Sequence, residues 1–513
     1  MKKKFAKIFN RSLLVLLAIL LQVGILIAAF IFVSRSSYSI VLLIYTLLIA
    51  LLIIIQIYAL FHVIYKQTDA EFKIPWLFIL LCFPVLGGLI YIIFSPRRLK
   101  KSDQTLLRAS DGLTAKYFKP LKEEDKKYGS SIKTFNYLDA SSGLYPTKGN
   151  RVTFYKSGEE FFPALINSLK EAEKFIFMEF FIISRGKEWD DVHKILKQKA
   201  SEGVKVKIIF DDVGCIGCLP GQIIRILRKE GIQAYKFNKL KPIITASFNN
   251  RDHRKIVVID HKYGFTGGIN LGDEYANIEH PFGYWKDTMI RIEGPGIAGL
   301  LKLFLQNFDL ASRKTSNYKK YFEFEFPTFE DQGYVLSFGH GPAPYYKERV
   351  GEHTLINIIE SAKEEVFISS PYFIPSEELL CSIRRVALSG VKVKLFLPGI
   401  PDKKIVYHIA ETYFAHLIDA GVEIHLYRPG FNHEKCILAD NKLAFIGTIN
   451  MDFRSLVHHF ECGSILYKCP CLEDIHNDFL EMEYASEIVP GTFTMPRTRV
   501  FICSVIRIFN ALL

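Results

Sequence analysis

The chain has 513 residues, a formal net charge of +12 and 49% hydrophobic residues. That length exceeds what one ordinary hydrophobic core supports, so several domains are expected. The excess of Lys and Arg suits either nucleic acid or an anionic membrane surface as a partner. The nine cysteines are scattered and odd in number, which argues against a disulfide-stabilised scaffold and agrees with a reducing compartment.

The first hundred residues carry nearly all of the lipid-like sequence. Three apolar runs, residues 13–33, 40–65 and 74–94, each approach or exceed the roughly 20 residues that a helix needs to cross hydrocarbon. A cleavable signal peptide is the alternative for the first run, but its apolar stretch is too long and no small-residue cleavage site follows. The sequence therefore predicts an integral membrane protein, with residues 1–101 as an anchor of two or three hydrophobic segments.

The third apolar run has an unusual composition for a membrane-spanning helix. It contains Pro75, Pro84, Gly87 and Gly88. If all three runs crossed the membrane, the basic N-terminus and the basic stretch RRLKK at 97–101, with four Arg and Lys residues, would lie on opposite sides, against the positive-inside tendency. We therefore expect the third run to be re-entrant or a broken helix, which would place both basic clusters and the remainder of the chain in the cytoplasm.

From about residue 110 the pattern changes to short apolar strands that alternate with helical stretches, as in an α/β sandwich. The pattern then repeats. Similar segments follow in the same order in both halves: 168–183 and 361–375, 203–212 and 390–399, 231–238 and 421–430. We predict a linker at 102–150 and two tandem α/β sandwich domains, 151–330 and 331–513, related by pseudo-two-fold symmetry, the second ending in a possible interfacial segment.

Each half also carries the same reactive residues at the same spacing. The first half contains RDHRKIVVIDHKYGFTGGIN and the second half contains NHEKCILADNKLAFIGTIN. The residues at matching positions are His253, Lys255, Asp260 and Asn270 in the first half and His433, Lys435, Asp440 and Asn450 in the second. The His and Lys of each copy are two apart on a strand and so share a face. One such pair would usually be a packed histidine and a solvated lysine, but two intact sets indicate that each half supplies part of one site.

Two lysines, two histidines and two asparagines make a strong anion site without a carboxylate-rich metal cage. A phosphodiester fits such a site, because ammonium groups and side-chain amides can hold its oxygens with no metal or other cofactor. One neutral imidazole could attack phosphorus while the other, protonated, donates to the leaving alkoxide, and a second alcohol would then reverse the roles. Water is the competing acceptor.

These residues resemble the phospholipase D superfamily, whose motif is His-x-Lys-(x)4-Asp followed by Gly-Gly/Ser/Thr-x-Asn. Flanking stretches resemble bacterial cardiolipin synthases within it: NNRDHRKIVVID, GGINLGDEY, YWKD, PGIPDKK and NMDFRSLVHHFE. The resemblance implies that two phosphatidylglycerol molecules are condensed to cardiolipin and glycerol at the cytoplasmic face of the bacterial plasma membrane. Phospholipase D hydrolysis and phosphatidylserine synthesis on the same scaffold remain alternatives, whereas a nuclease is disfavoured by the anchor, so no nucleic-acid partner is expected.

The same resemblance implies residue roles. His253 would be the nucleophile and His433 the general acid and base, although a swap of roles leaves the spacing unchanged. The two motif lysines and two motif asparagines would hold the phosphate, and the two motif aspartates complete the catalytic signature with an expected structural role.

The residues that flank the two motifs also matter for the histidines. By position, Asp287 in YWKD and Glu461 in HHFE would accept a hydrogen bond from the catalytic rings and fix their tautomers. His459 departs from the pattern, because many relatives carry Asn there. The oligomeric state is not predicted.

Overall fold

The computed structural model describes residues 39–510, except for 67, 85, 96–98, 122–131, 241–248, 331–332 and 347, together with residues 24, 27, 28 and 31. Most of the first apolar run therefore lies outside the described residues. The described residues divide into two compact units. We call them the N-terminal unit, up to residue 97 with residues 505–510, and the α/β unit, from residue 98 to residue 504.

The N-terminal unit consists mainly of three helices: α1 Ser39–Tyr65, α2 Ala70–Cys82 and α3 Gly87–Phe94. Within α1, residues 42–65 have a mean hydropathy of 2.7, and among the described residues this is the one helix long and apolar enough to cross a membrane. The third apolar run is two helices, because the chain leaves helical geometry at Phe83, directly before Pro84.

Gln56, in the middle of α1, occupies the break between α2 and α3. Its Nε2 donates to the Leu80 carbonyl at 2.5 Å, and its Oε1 accepts from the Gly88 N–H at 2.6 Å. A Cβ on Gly88 would lie 2.9 Å from the Gln56 Cα, so glycine is needed for this close approach. One side-chain amide thereby satisfies a carbonyl and an N–H that the helix break releases in apolar surroundings.

The α/β unit contains two sheets with corresponding strand orders. The first sheet has the order β1-β8-β6-β5-β2-β3-β4 and the second the order β19-β13-β12-β10-β15-β16-β18-β9. In each sheet three strands are parallel, β2, β3 and β4 or β10, β12 and β13, and the motif strand, β5 or β15, pairs antiparallel with the first of them. This repetition confirms the predicted tandem α/β domains.

The strands have the following bounds: β1 Arg151–Tyr155, β2 Phe175–Phe180, β3 Lys205–Asp211, β4 Gln233–Phe237, β5 Ile256–Ile259, β6 Tyr263–Gly267, β7 Tyr284–Lys286, β8 Met289–Glu293, β9 Tyr334–His340, β10 Glu365–Ser369, β11 Phe373–Ile374, β12 Lys392–Pro398, β13 Glu423–Tyr427, β14 Gly430–Asn432, β15 Cys436–Ala439, β16 Leu443–Gly447, β17 Met451–Asp452, β18 Glu461–Tyr467 and β19 Ser486–Ile488. The remaining α-helices are α4 Lys101–Thr114, α5 Ile132–Ser142, α6 Gly158–Lys170, α7 Lys187–Ser201, α8 Ile223–Lys229, α9 Ile297–Ser312, α10 Tyr318–Phe322, α11 Val350–Ser361, α12 Glu377–Leu388, α13 Lys404–Ile418, α14 Leu472–Tyr484 and α15 Arg497–Arg507.

One hydrophobic cluster of the α/β unit is common to both of its halves. Apolar side chains of both sheets pack in a single cluster, which includes Phe177 and Ile256 from the first half and Phe396 and Leu438 from the second. Helix α9 belongs to this core, since 13 of its 16 residues are buried and it contacts strands of both halves. Such a shared core fixes the two halves against each other and so positions residues that meet across them.

The segment predicted as a linker, residues 102–150, also packs on the α/β unit. Helix α4 contacts α9, and α5 contacts α11. Leu107, Phe135 and Leu138 are fully buried there. The described part of this segment is therefore structured, and its hydrophobic residues extend the core of the α/β unit.

Candidate active site

Two short β contacts between the halves set the position of the motif histidines. Strand β14 pairs in parallel with β7 of the first half, and Asp252 forms a parallel bridge with Phe460 of the second half. As a result the His433 N–H donates to the Lys286 carbonyl at 2.7 Å, and the His253 N–H donates to the Phe460 carbonyl at 2.9 Å. Each histidine therefore lies next to an acidic residue of the opposite half, because Lys286 and Phe460 each directly precede one in the sequence.

Each histidine bonds a carboxylate from the other half of the chain. His253 Nδ1 lies 2.9 Å from Glu461 Oε2, and His433 Nδ1 lies 2.6 Å from Asp287 Oδ2. All four side chains are buried. A carboxylate on Nδ1 keeps the proton there and leaves the lone pair of the neutral ring on Nε2. Both rings therefore present the nitrogen that can attack phosphorus or take up a proton.

Glu461 is held by more than its histidine. Its carboxylate accepts from the Thr448 hydroxyl at 2.5 Å and from the Ser455 hydroxyl at 2.6 Å, and His459 Nδ1 lies 3.4 Å away. Burial alone would raise the pKa of the Glu461 carboxyl, but the rings of His253 and His459 hold it well below its usual range. The carboxylate facing His253 is therefore ionised at neutral pH.

Asp287 has a different environment. Its Oδ1 accepts from the Thr288 N–H at 2.9 Å, and burial raises the pKa of the carboxyl to about 6, against the lowering effect of Lys435. A Cβ on Gly268 would lie 2.0 Å from this oxygen. The first motif therefore needs Gly-Gly where the second has Gly-Thr, and the Thr448 hydroxyl at the equivalent position instead bonds Glu461.

Both motif lysines are fully buried next to their histidines. Lys255 Nζ donates to the His253 carbonyl at 2.8 Å, and Lys435 Nζ contacts the carbonyl and Nδ1 of His433. Burial lowers the pKa of Lys255 to about 8 and that of Lys435 to about 7. A bound anion would restore both charges, because it replaces the water that the ammonium groups have lost.

The same burial keeps the imidazoles neutral. It lowers the pKa of His253 to about 4 and, together with the charges of Lys435 and Lys255, holds that of His433 well below its usual range. Neutral rings next to ammonium groups suit nucleophilic attack on an anionic phosphodiester.

The family comparison agrees with this geometry. A family model described as "Cardiolipin synthase, PLD-like domain" matches residues 165–301 and 355–483, and one described as "Phospholipase_D-nuclease N-terminal" matches residues 54–96. The chain belongs to the phospholipase D-like cardiolipin synthase family. It is therefore a phosphatidyltransferase of the phospholipase D type.

The chain is also similar to individual proteins. An uncharacterized protein of Streptococcus mutans is 39% identical over 430 residues, which cover 82% of this chain and 91% of the relative. A cardiolipin synthase of Geobacillus thermodenitrificans is 35% identical over 452 residues, or 86% of this chain and 88% of the relative. The phosphatidylserine synthase structure from Haemophilus influenzae is 14% identical with a TM-score of 0.57, covering 74% of this chain and all 100% of that one, and this likeness concerns the fold.

The family's two motif asparagines have unequal surroundings in this chain. Asn270 accepts from the Ile182 N–H at 3.0 Å and donates to the Tyr275 hydroxyl at 2.8 Å. Both ends of its amide are thus engaged in holding the surrounding loop. Asn450 is also buried, but its Oδ1 has no hydrogen-bond partner among the described residues. The free Oδ1 of Asn450 is an acceptor, so it suits a hydroxyl group rather than an anionic phosphate oxygen.

The motif aspartates lie away from the histidines, at the far ends of β5 and β15. Asp260 accepts from the backbone N–H groups of residues 173–175 at 2.5 to 2.8 Å, and Asp440 accepts from those of residues 363–365 at 2.8 to 3.2 Å. Each carboxylate therefore ties the motif strand to the start of the neighbouring parallel strand. These contacts fit the structural role expected for both aspartates.

Several residues of the site were not assigned a role from the sequence. Tyr275, Trp285 and Phe431 surround the His433 ring at centroid distances of 5.8, 5.4 and 5.5 Å. His459 lies 5.5 Å from the His253 ring, although the sequence marked it only as a departure from its relatives. His253, His459 and Glu461 have donor atoms within 4.8 Å of one another, a spacing open to a metal ion, but the two ammonium groups favour an anion instead.

Proposed function

We propose that the enzyme transfers the phosphatidyl group of one phosphatidylglycerol to a second, giving cardiolipin and glycerol through a phosphohistidine. The observation that carries the proposal is the pair of imidazoles from opposite halves, each with Nδ1 on a carboxylate, beside two buried lysines. No cofactor enters this reaction, because the P–N bond keeps the transferable phosphatidyl group activated between the two steps.

In the first step, His253 Nε2 attacks the phosphorus of the donor lipid and the bond to the glycerol oxygen breaks. Binding of the anionic donor lipid raises the pKa of the otherwise neutral His433, so this ring takes up a proton and donates it to that oxygen, and glycerol leaves as an alcohol. The ring of His253 becomes cationic when it bonds phosphorus, and the ionised Glu461 beside it stabilises this charge. The pKa of Asp287 is raised instead. This difference supports His253 as the nucleophile.

In the second step, a hydroxyl of the acceptor phosphatidylglycerol attacks the same phosphorus from the side that glycerol left. His433 takes the proton of that hydroxyl, the P–N bond to His253 breaks, and both rings return to their starting state. Lys255 and Lys435 hold the non-bridging oxygens in both steps, where their charges stabilise the transition state. The oxygen of Asn450 can accept from a hydroxyl of either lipid.

The membrane arrangement belongs to the same proposal. Helix α1 would cross the bacterial plasma membrane as part of a multi-pass anchor, with the α/β unit on the cytoplasmic side. Confinement at the bilayer raises the effective concentration of the lipid alcohol, which favours transfer over hydrolysis by water. The relatives named cardiolipin synthase support phosphatidylglycerol and anionic lipid as the partners.

Product analysis with the purified full-length enzyme tests the proposal. Vesicles of phosphatidylglycerol labelled in the glycerol headgroup should yield a tetra-acyl lipid and free labelled glycerol in equal amounts, without added nucleotide or metal. His253→Asn and His433→Asn should abolish both products. Phosphatidic acid as the main lipid product would mean a hydrolase, and phosphatidylserine formed when serine is added would mean a serine transferase.

A further inference from the structure

A loop of the second half brings a basic residue to the rim of the site. Residues 399–403 connect β12 to α13. The Gly399 N–H donates to the Tyr427 carbonyl at 2.8 Å, and the Ile400 N–H donates to the Gly430 carbonyl at 3.3 Å. Gly430 begins β14, the strand that leads to His433. The loop is therefore fixed beside the acid and base of the proposed reaction.

Lys403 is held in place at the end of this loop. Its Nζ lies 2.9 Å from Asp402 Oδ2, contacts the Tyr372 hydroxyl, and stands 4.0 Å from the centroid of the Tyr372 ring. The same Asp402 oxygen accepts from the Tyr372 hydroxyl at 2.7 Å. The Lys403 side chain nevertheless remains 55% exposed. An ammonium group has three N–H donors, so a fixed lysine with two polar contacts can still bind an incoming anion.

Tyr372 connects this lysine to the site. The next residue, Phe373, pairs with Met451, which directly follows Asn450. The Tyr372 ring lies 6.4 Å from Phe431, and that ring lies 5.5 Å from His433. The Lys403 ammonium thus contacts a side chain that packs beside the second motif.

The electrostatic environment of His433 agrees with this placement of Lys403. Burial and the two motif lysines lower the pKa of His433 most, and the charges of Asp402 and Lys403 act on it next, Asp402 raising it and Lys403 lowering it. The corresponding loop of the first half begins with Asp212 instead, directly after Asp211 at the end of β3. The extra rim cation therefore lies on the His433 side, where the proposed reaction activates the acceptor alcohol.

The proposed reaction needs such a cation. Both substrates are phosphodiesters, and the two motif lysines serve the donor, whose phosphorus reacts. The acceptor brings a second negative charge, which stays within one glycerol of the attacking hydroxyl. A second phosphate near the first repels it unless another cation is present.

We propose that Lys403, positioned by Asp402 and Tyr372, binds the phosphate of the acceptor lipid and so selects an anionic phospholipid over a neutral alcohol or water. This inference rests on the proposed function and adds the binding site of the second substrate. Lys403 pairs with the acceptor phosphate only, so the transfer of the phosphatidyl group to His253 proceeds without it.

Lys403→Gln tests the inference, with Lys404→Gln as the matched control. Both substitutions remove one exposed charge at the start of α13, so they change the general attraction to anionic lipid equally. The donor is phosphatidyl-p-nitrophenol in neutral detergent micelles, and the acceptors are phosphatidylglycerol and ethanol in the same reaction. Release of p-nitrophenol reports the first step, and the ratio of cardiolipin to phosphatidylethanol reports the choice of acceptor.

Lys403→Gln should lower that ratio by about tenfold, the size expected for the loss of one charge-assisted hydrogen bond. With ethanol as the acceptor, Lys403→Gln should release p-nitrophenol at the wild-type rate. Lys404→Gln should leave the ratio of cardiolipin to phosphatidylethanol unchanged, and Lys403→Arg should keep most of the wild-type ratio. Equal ratios in Lys403→Gln and Lys404→Gln would overturn the assignment of Lys403 while the proposed function stands. A wild-type enzyme that releases p-nitrophenol but forms no cardiolipin would overturn the proposed function itself.

Discussion

Replacing Glu461 by glutamine should remove most of the turnover while leaving the fold intact. The carboxylate accepts hydrogen bonds from the His253 ring and from the hydroxyls of Thr448 and Ser455 at 2.5 to 2.9 Å. A glutamine has one acceptor oxygen, and its NH2 group cannot accept. If the NH2 group faces His253, the ring must move its proton to Nε2 and loses its nucleophilic lone pair there.

The magnitude follows from the lost charge. Even when the glutamine oxygen faces the ring, no anion remains to stabilise the cationic phosphohistidine in this buried site. Leaving a buried charge without its partner costs about 3–5 kcal/mol. If that cost falls on the transition state, kcat should drop by roughly 10²- to 10⁴-fold.

The assay is the initial rate of cardiolipin formation in mixed micelles, with thermal unfolding measured on the same preparation. Glu434→Gln is the control. Glu434 is also a buried carboxylate and is adjacent to His433 in the sequence, but the strongest charge interaction of its carboxylate is with Lys286. Its kcat should stay within about threefold of wild type. A folded Glu461→Gln enzyme within tenfold of wild-type kcat, or equal losses in both variants, would refute the reasoning.

Three further perturbations test other parts of the structure. Burial lowers the pKa of Lys435 to about 7 and that of Lys255 to about 8. Binding of a phosphodiester should therefore take up on the order of one proton more at pH 8 than below pH 6, where both lysines are already charged. Calorimetry in buffers of different ionisation enthalpy measures this difference, and equal uptake at the two pH values would contradict it. Asp440→Ala should destabilise the α/β unit by about 2 kcal/mol, because three backbone N–H groups lose their acceptor. A variant with normal Tm and a lost kcat would instead indicate a catalytic role for Asp440. Gln56→Leu leaves two backbone groups at the helix break without a partner, so it should destabilise the N-terminal unit by about 2–4 kcal/mol in detergent. Thr46→Val loses only a hydrogen bond inside its own helix and should not destabilise the unit to this extent. Equal Tm values for the two variants would contradict the role of Gln56.

The sequence alone predicted the features that depend on residues close together in the chain. The apolar run 40–65 identified the helix α1, and Pro84 with its glycines predicted the break that follows α2. The duplicated His-x-Lys pattern predicted two matching domains, because a repeated set of reactive residues at one spacing is improbable without a repeated fold. These predictions depend on side chains close together in the chain.

The pairing of each histidine with the acid of the opposite half could not be read from local sequence. It depends on two β contacts between segments far apart in the chain, β7 with β14 and Asp252 with Phe460. The hydrogen bond from Asn270 to Tyr275 could not be predicted either, because it depends on how the loop between the two residues turns. Likewise, no local pattern showed that the segment predicted as a linker supplies Phe135 and Leu138 to the core.

The central claim, that two imidazoles from opposite halves act in turn on one phosphorus, is tested most directly by trapping the intermediate. With phosphatidyl-p-nitrophenol, whose leaving group needs no acid, His433→Asn should release a single stoichiometric burst of p-nitrophenol and accumulate a phosphatidyl adduct that mass spectrometry maps to His253. His253→Asn should give neither burst nor adduct. Continued turnover by either variant, without an adduct on a histidine, would contradict the account.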